Sequence, residues 1–300
     1  MNDLLNNSTK PKNIEELYYK ILEIISDLYE KYIPQSVENR KNKEKAKMTD
    51  AEIISIQLLI ECIGKTQNSG YSYLRANYPN LVNYVERSRF NRLVTALFTV
   101  IKEIRKNLPK NENSECKIVD SFPLTINKFG RAFFGKKLRE YSSYGYCASK
   151  KEKYYGMKVH VVTDLYGNPI EYLLTKANID DRDALYELSD MTTIQILIGD
   201  KGYIGIVNEV LKKEKGIRLY ALKRGNSKNP LPKQFRNMIS KFRRRIESTF
   251  NQLIEHFDIE RVRANSIISL LTSLEIKSLC FNILTYIGGT TKISKILNFN

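Results

Sequence analysis

The sequence predicts an α/β protein: an all-helical domain over residues 1–110, a mixed five-stranded sheet flanked by helices over 111–288, and a tail over 289–300. Three observations carry that prediction. Before Pro109 the apolar residues recur at helical spacing, after it they shorten to strand-like runs, and a late stretch carries a long apolar stripe in steps of three and four. With 300 residues, 42% of them hydrophobic, the chain can bury a sizeable core.

In chain order, Leu17, Ile21, Ile24, Ile25 and Leu28 make one face of an amphipathic helix over 14–33, and a charged linker follows over 38–47. Thr49 and Glu52 form a capping box that opens a second helix, which runs to about Cys62. The chain is expected to turn around 70–79. A third helix begins near Ser88, continues through Leu93, Leu97 and Ile101, and stops at Pro109. Arg87, Arg89 and Arg92 at its start suit either a helix-turn-helix-like DNA reader or a plain packing helix. After a polar linker over 111–115, strands are expected at 116–120, 157–162, 170–175, 194–198 and 217–222, with Gly167-Asn168 as the turn between the second and third. Helical segments at 183–188 and 204–213 separate the later strands, so antiparallel pairing comes first and parallel crossovers later. The stripe Leu231, Phe235, Ile239, Phe242, Ile246, Phe250, Leu253 and Phe257 belongs to one long helix.

Lysine and arginine total 49 against 33 acidic residues, a formal charge of +16. That balance suits a polyanion-binding protein, and also a basic enzyme kept soluble by its charge. Cys62, Cys116, Cys147 and Cys280 are widely spaced and lack a Cys-x-x-Cys pair, and the chain has only two histidines, so a zinc site is not expected and a reduced, cytoplasmic protein is. Residues 1–12 are polar, unlike a signal peptide, and no apolar run is expected to reach the roughly 18 residues a membrane span requires, so no membrane association is expected.

Three carboxylates carry the chemistry. Asp120 ends Cys-Lys-Ile-Val-Asp on a face it shares with Cys116 and Ile118, and Pro123 is expected to stop that strand soon afterwards. A carboxylate on an apolar face is costly unless it is paired or binds a metal, although a turn aspartate fits the same position. Asp200 closes Ile-Leu-Ile-Gly-Asp, where open α/β sheets present functional groups, with helix capping as the competing role. Glu247 follows Ile246 four residues after Arg243, a spacing that an ordinary helical salt bridge also explains. Asp180 or Asp181 is expected to cap the helix that begins there. Two like charges about 4 Å apart repel by roughly 4 kcal/mol at an effective dielectric near 20, so converging carboxylates need a counter-ion. Oxygen ligands select magnesium or manganese, and two such ions support in-line displacement at phosphorus without a histidine base. His160 is expected mid-strand, either hydrogen-bonded or near substrate phosphate, and His256 on the last helix.

From Lys223 to Arg245 there are nine basic residues and no acidic one. Lys223, Arg224, Lys241, Arg243, Arg244 and Arg245, with Lys158 and Lys201 nearer the aspartates, are the expected DNA contacts. A second cluster, Lys128, Arg131, Lys136, Lys137 and Arg139, precedes Tyr141, Tyr144, Tyr146, Tyr154 and Tyr155. These tyrosines suit either loop packing or stacking on bases splayed from a DNA end.

With its acids in the order strand, strand, helix, the chain resembles the DDE transposases of bacterial insertion sequences, whose catalytic domain is ribonuclease-H-like. The resemblance rests on Ile118-Val-Asp-Ser-Phe-Pro123, Tyr144-Gly-Tyr-Cys-Ala-Ser-Lys-Lys151, Tyr155-Gly-Met-Lys158, Thr175-Lys-Ala-Asn-Ile-Asp-Asp-Arg182, Gly199-Asp-Lys-Gly-Tyr203 and Arg243-Arg-Arg-Ile-Glu-Ser-Thr-Phe250, and covers residues 116–265. It implies that Asp120, Asp200 and Glu247 are catalytic and hold Mg2+ or Mn2+, two ions in all. It also implies that the N-terminal helices help bind terminal inverted repeats, that target DNA is a further partner, and that a homodimer or larger assembly works on the bacterial nucleoid. Ser240 and Ile254 stand where many relatives carry a tyrosine and a lysine, which assigns the chain to a different branch. The expected function is metal-dependent cleavage and strand transfer at element ends. The alternatives are a nuclease that does not join strands and a repressor that kept the fold without the chemistry.

Overall fold

A computed structural model describes residues 11–38, 45–82, 85–109, 115–203, 205–222, 232–261, 264–288 and 296–297. Parts of both expected linkers and most of the tail lie outside them. The chain divides into two compact units: Met1–Pro109 with Glu255–Phe257 and Ile267–Asn300, and Lys110–Ile254 with Asp258–Ser266.

In the helical unit, α1 (Ile14–Tyr32) is capped by the Asn13 side chain and buries Leu17, Ile21, Ile25 and Leu28, the stripe visible in the sequence. After the single turn α2 (Gln35–Glu38), α3 (Asp50–Cys62) opens on the expected capping box: Thr49 Oγ1 accepts from the Glu52 amide at 3.1 Å and Glu52 Oε2 accepts from the Thr49 amide at 2.6 Å. Where a turn was expected, α4 (Gln67–Asn77) forms instead. A Cβ on Gly70 would lie 2.5 Å from Ile60 Cγ2, so this glycine marks close helix packing, not a bend. The expected third helix is two, α6 (Arg87–Ala96) and α7 (Phe98–Asn107), which follow the short α5 (Pro79–Val82) and break at Leu97.

Part of the core of this unit comes from the far end of the chain. Helix Ile267–Gly288 packs on α7 and α3, although residues 267–288 are expected within the sheet domain. At 22 residues it is long and apolar enough to cross a membrane by length and composition, against the expectation that no apolar run reaches that length, and it carries Glu275 and Lys277 within it. Both charges are buried and paired inside the unit. Glu275 accepts from the buried Arg105 guanidinium of α7, and Lys277 Nζ donates to Glu61 Oε2 of α3 at 2.7 Å. Removing one partner strands the other charge away from water. Glu275→Ala is therefore expected to destabilise the protein by about 3–5 kcal/mol in urea unfolding, whereas replacing Arg105 and Glu275 together by Met and Leu is close to neutral.

The second unit runs β1 (Cys116–Asn127), β2 (Ser143–Cys147), β3 (Glu152–Thr163), β4 (Pro169–Lys176), α8 (Asp181–Leu188), β5 (Ile196–Gly199), α9 (Ile206–Lys215), β6 (Arg218–Ala221) and α10 (Lys233–Phe257). Strand β3 lies antiparallel to β1, and its other edge is shared by β2 over 152–156 and β4 over 157–163. Strands β5 and β6 extend the sheet in parallel on the far side of β1. This is the ribonuclease-H-like arrangement, with β2 added to the five expected strands. Its Ser-Tyr-Gly-Tyr-Cys sequence has too little aliphatic alternation to announce a strand. Pro123 does not end β1. Strand β5 pairs only with residues 116–118, so beyond them one side of β1 has no strand partner and a residue without an N–H is tolerated.

Alternation along β1 sorts its residues between the two faces. Val119 joins Val162, Leu185, Leu188, Leu197 and Leu211 in a core under α8 and α9. Phe122, on the opposite face with Ile118 and Asp120, meets Phe250 of α10 with ring centroids 5.1 Å apart.

Candidate active site

The register of the two central strands decides where the aspartates go. Ile118 of β1 is the parallel partner of Ile198 of β5. Two residues further along come Asp120, part-way along β1, and Asp200, just past the end of β5, so neighbouring strands about 4.8 Å apart bring both carboxylates close enough for the Asp200 charge to act on Asp120. Asp120 is half-buried, and its Oδ1 accepts from the Ser121 amide at 2.8 Å. Burial, above all, pushes its carboxyl up to about 7; the Ser121 amide and the Arg243 charge oppose this, while the charges of Asp200 and Asp181 add to it.

Helix α10 supplies the third acid. Thr249 Oγ1 donates to the Gly167 carbonyl at 2.7 Å and Arg245 Nη1 to the Leu165 carbonyl at 2.7 Å, fastening one side of the helix to the β3–β4 turn. Gly167 has φ +94°, and a Cβ there would lie 2.4 Å from Thr249 Oγ1, so both the turn and the helix's approach require glycine. Residues two positions away lie about 200° round a helix, which turns Arg243 and Glu247 to the opposite side from Arg245 and Thr249. There Arg243 Nη2 is 3.2 Å from Glu247 Oε1 and Nη1 is 3.3 Å from Asp200 Oδ1. The i,i+4 pair is thus not an isolated surface salt bridge, because the same guanidinium spans the helix acid and the strand acid.

The expected basic residues divide. Lys241 and Arg244 are exposed, Arg243 serves the carboxylates, and Arg245 is turned to the β3–β4 turn, 5.6 Å from the Tyr166 ring centroid. Lys158 Nζ donates to Asp181 Oδ1 and to the Ile179 carbonyl, both at 2.9 Å. The side chain of Lys201, and Lys223 and Arg224 altogether, lie outside the described residues.

The sequence reading missed the role of Asp181. Asp180 alone caps α8, accepting from the Arg182 amide at 2.9 Å, which leaves Asp181 to gather Lys158, Ser121 (Oγ at 3.4 Å) and His160 (Nδ1 at 3.7 Å) on the face of β1 opposite Asp120. Two consecutive aspartates where one cap is needed were the available signal. His160 is fully buried with Nε2 3.0 Å from Thr175 Oγ1. Burial drives its pKa down to about 4, opposed by Asp181 and helped by Lys158, so the imidazole is neutral near pH 7.

Among the described residues no three of these groups close on one point as a ready metal cage. The donor set still fits a hard divalent cation. All its ligands are carboxylate oxygens, Asp120 is held back from ionising by burial and by its acidic neighbours, and a guanidinium charge already lies between Asp200 and Glu247.

These groups set opposing pH dependences on the metal-free fold. Asp120, raised above its unfolded value, binds a proton that the unfolded chain releases, so its contribution to stability falls as pH rises from about 4 through 7. His160, lowered, loses stability as pH falls from 6.5 toward 4. Asp120→Asn is therefore expected to raise the unfolding midpoint in EDTA by roughly 2–6 °C at pH 8 and by less at pH 5, whereas His160→Gln reduces the acid-side loss.

A family model described as "Transposase DDE domain" matches residues 110–267, more than half of the chain. No curated protein and no solved structure matches it. The match begins just ahead of β1 and ends just past α10, so it takes in every element that brings an acid to the site. A ribonuclease-H-like sheet, aspartates side by side on β1 and at the end of β5, and a glutamate on helix α10 thus coincide with the matched span, and the chain belongs to the family of transposases with a DDE domain.

Proposed function

We propose that this transposase cleaves DNA at the ends of an insertion sequence and joins those ends to target DNA, using Asp120, Asp200 and Glu247 with two Mg2+ or Mn2+ ions. The observation that carries the reading is the β1–β5 register, which sets Asp120 beside Asp200, together with the Arg243 bridge from Asp200 to Glu247. Bound divalent ions would polarise the scissile phosphate and favour the ionised form of the attacking water or 3′-hydroxyl. The chain's own residues do the rest. Arg243 neutralises the acids and fixes Glu247 relative to Asp200. Lys241 and Arg244, exposed on α10, take backbone phosphates, as do Lys201, Lys223 and Arg224. In the helical unit Phe90 and Val94 of α6 are buried while Arg87, Arg89 and Arg92 are exposed, a basic face suited to the terminal inverted repeats. Acting on two ends calls for at least a homodimer, on DNA in the bacterial cytoplasm.

The test is cleavage and joining of DNA carrying the element's end and its flank. Asp120→Asn, Asp200→Asn and Glu247→Gln are each expected to lower magnesium-dependent cleavage roughly a thousand-fold, several kcal/mol at about 1.36 per decade, while duplex binding in EDTA persists. Unchanged cleavage in these variants overturns the site. Cleavage without a joined product points to a nuclease, and wild-type binding without cleavage to a repressor. Lys241→Ala and Arg244→Ala are expected to weaken binding regardless of sequence, each reducing the slope of log affinity against log salt by about one.

A further inference from the structure

A cavity of about 920 Å³ opens at the β2 edge of the sheet, lined by Phe129, Tyr144, Tyr146, Lys153, Lys158 and Asn178 among others. It adjoins the carboxylate site without belonging to it. Gly202, two residues after Asp200, and Asp181, whose charge reaches Asp120, also line its wall. Three of its rings are unusually open: Phe129 is 47% exposed, Tyr144 51% and Tyr146 60%. They are nonetheless braced. Tyr144 packs edge-on against both Phe129, at 5.4 Å, and the buried Tyr155, at 4.9 Å. On the other side of β2, a Cβ at Gly145 would lie 2.7 Å from Ala177 Cβ, so the strand is pressed onto its support.

Tyr144 and Tyr146 stand on one face of β2, two residues apart, which sets their attachment points about 6.7 Å apart. That is about twice the 3.4 Å rise between stacked bases, the gap two rings need to take a planar base between them. The charges fit the same occupant. Asp180 is neutralised by Arg182 at 2.7 Å and Asp181 by Lys158 at 2.9 Å, while Lys153, opposite Tyr146 in the β2–β3 pair, is exposed. The lining therefore offers aromatic faces to a neutral ring and a cation to its phosphate.

We propose that this groove holds an unpaired nucleobase of single-stranded DNA at the element's end, stacked on Tyr144 and Tyr146 with its phosphate at Lys153. The inference rests on the transposase reading for the source of that strand, but its recognition chemistry is separate from the carboxylates. Extruding a base is easiest where pairing has already been lost, so frayed or cleaved ends are the expected ligand.

The test uses full-length Asp120→Asn protein, to prevent cleavage, and fluorescence anisotropy with two DNA probes: a blunt duplex, and the same duplex with a short single-stranded extension. The extension is expected to tighten binding roughly 5- to 100-fold. Tyr144→Ala with Tyr146→Ala removes that preference while blunt-duplex affinity stays within about twofold, and Tyr144→Phe with Tyr146→Phe retains it. An abasic extension makes the parent and the alanine variant alike. The proposal is overturned if the extension gives no preference, if the alanine variant keeps it, or if the phenylalanine variant, folded by its melting curve, loses it. Magnesium-dependent cleavage by wild-type protein is read separately: cleavage without an extension preference sinks the groove alone, and a preference without cleavage sinks the transposase reading alone.

Discussion

Everything in the sheet unit turns on the burial of acid. A sheet that sets Asp120 and Asp200 side by side, both half-buried, holds carboxyls where water solvates them poorly; that burial raises the Asp120 carboxyl, and the charge of Asp200 adds a smaller share. The fold answers with one arginine. Arg243 reaches back to Asp200 and across to Glu247, so one positive charge serves both of these acids. An arrangement that is unfavourable alone and relieved by positive charge is what a hard-cation site in the metal-free state should look like.

Two features keep that arrangement in place. The Ile118–Ile198 register aligns the aspartates, and a shift by one residue would send one of them to the other face of the sheet. Helix α10 is fixed in rotation by Arg245 and Thr249 on the β3–β4 turn, on the side away from Glu247. Gly167 permits that contact, so a glycine in a hairpin distant in sequence controls where Glu247 points. On the opposite face, Asp181 is held by Lys158 and lies near a neutral His160, which ties the start of α8 to β3.

The helical unit meets the same problem of buried charge with direct pairs. Helix Ile267–Gly288 is apolar enough to have many packing partners, yet Glu275 has to find Arg105 and Lys277 has to find Glu61. Such pairs add little net stability compared with an apolar core, but they penalise every other rotation of the helix. They also bind the last long element of the chain to helices α3 and α7 near its start.

Much of this was legible from the sequence because it is written in local patterns. The Thr49 capping box, the α1 stripe, the apolar runs that lead up to the two aspartates and the spacing of α10 each depend on residues within a turn or two of one another. The order of Asp120, Asp200 and Glu247 was visible for the same reason. What escaped were features set by distant partners. Pro123 is tolerated in β1 because β5 is short, and Gly70 sits in a helix because Ile60 lies against it. Asp181 was passed over because its partners, Lys158 and Ser121, lie 23 and 60 residues away in sequence. By itself, then, the sequence determined which elements form and which acids are available. Only tertiary packing decided which elements share a unit, which arginine faces the acids and which tyrosines stay open, because burial and charge pairing depend on neighbours that chain order does not name.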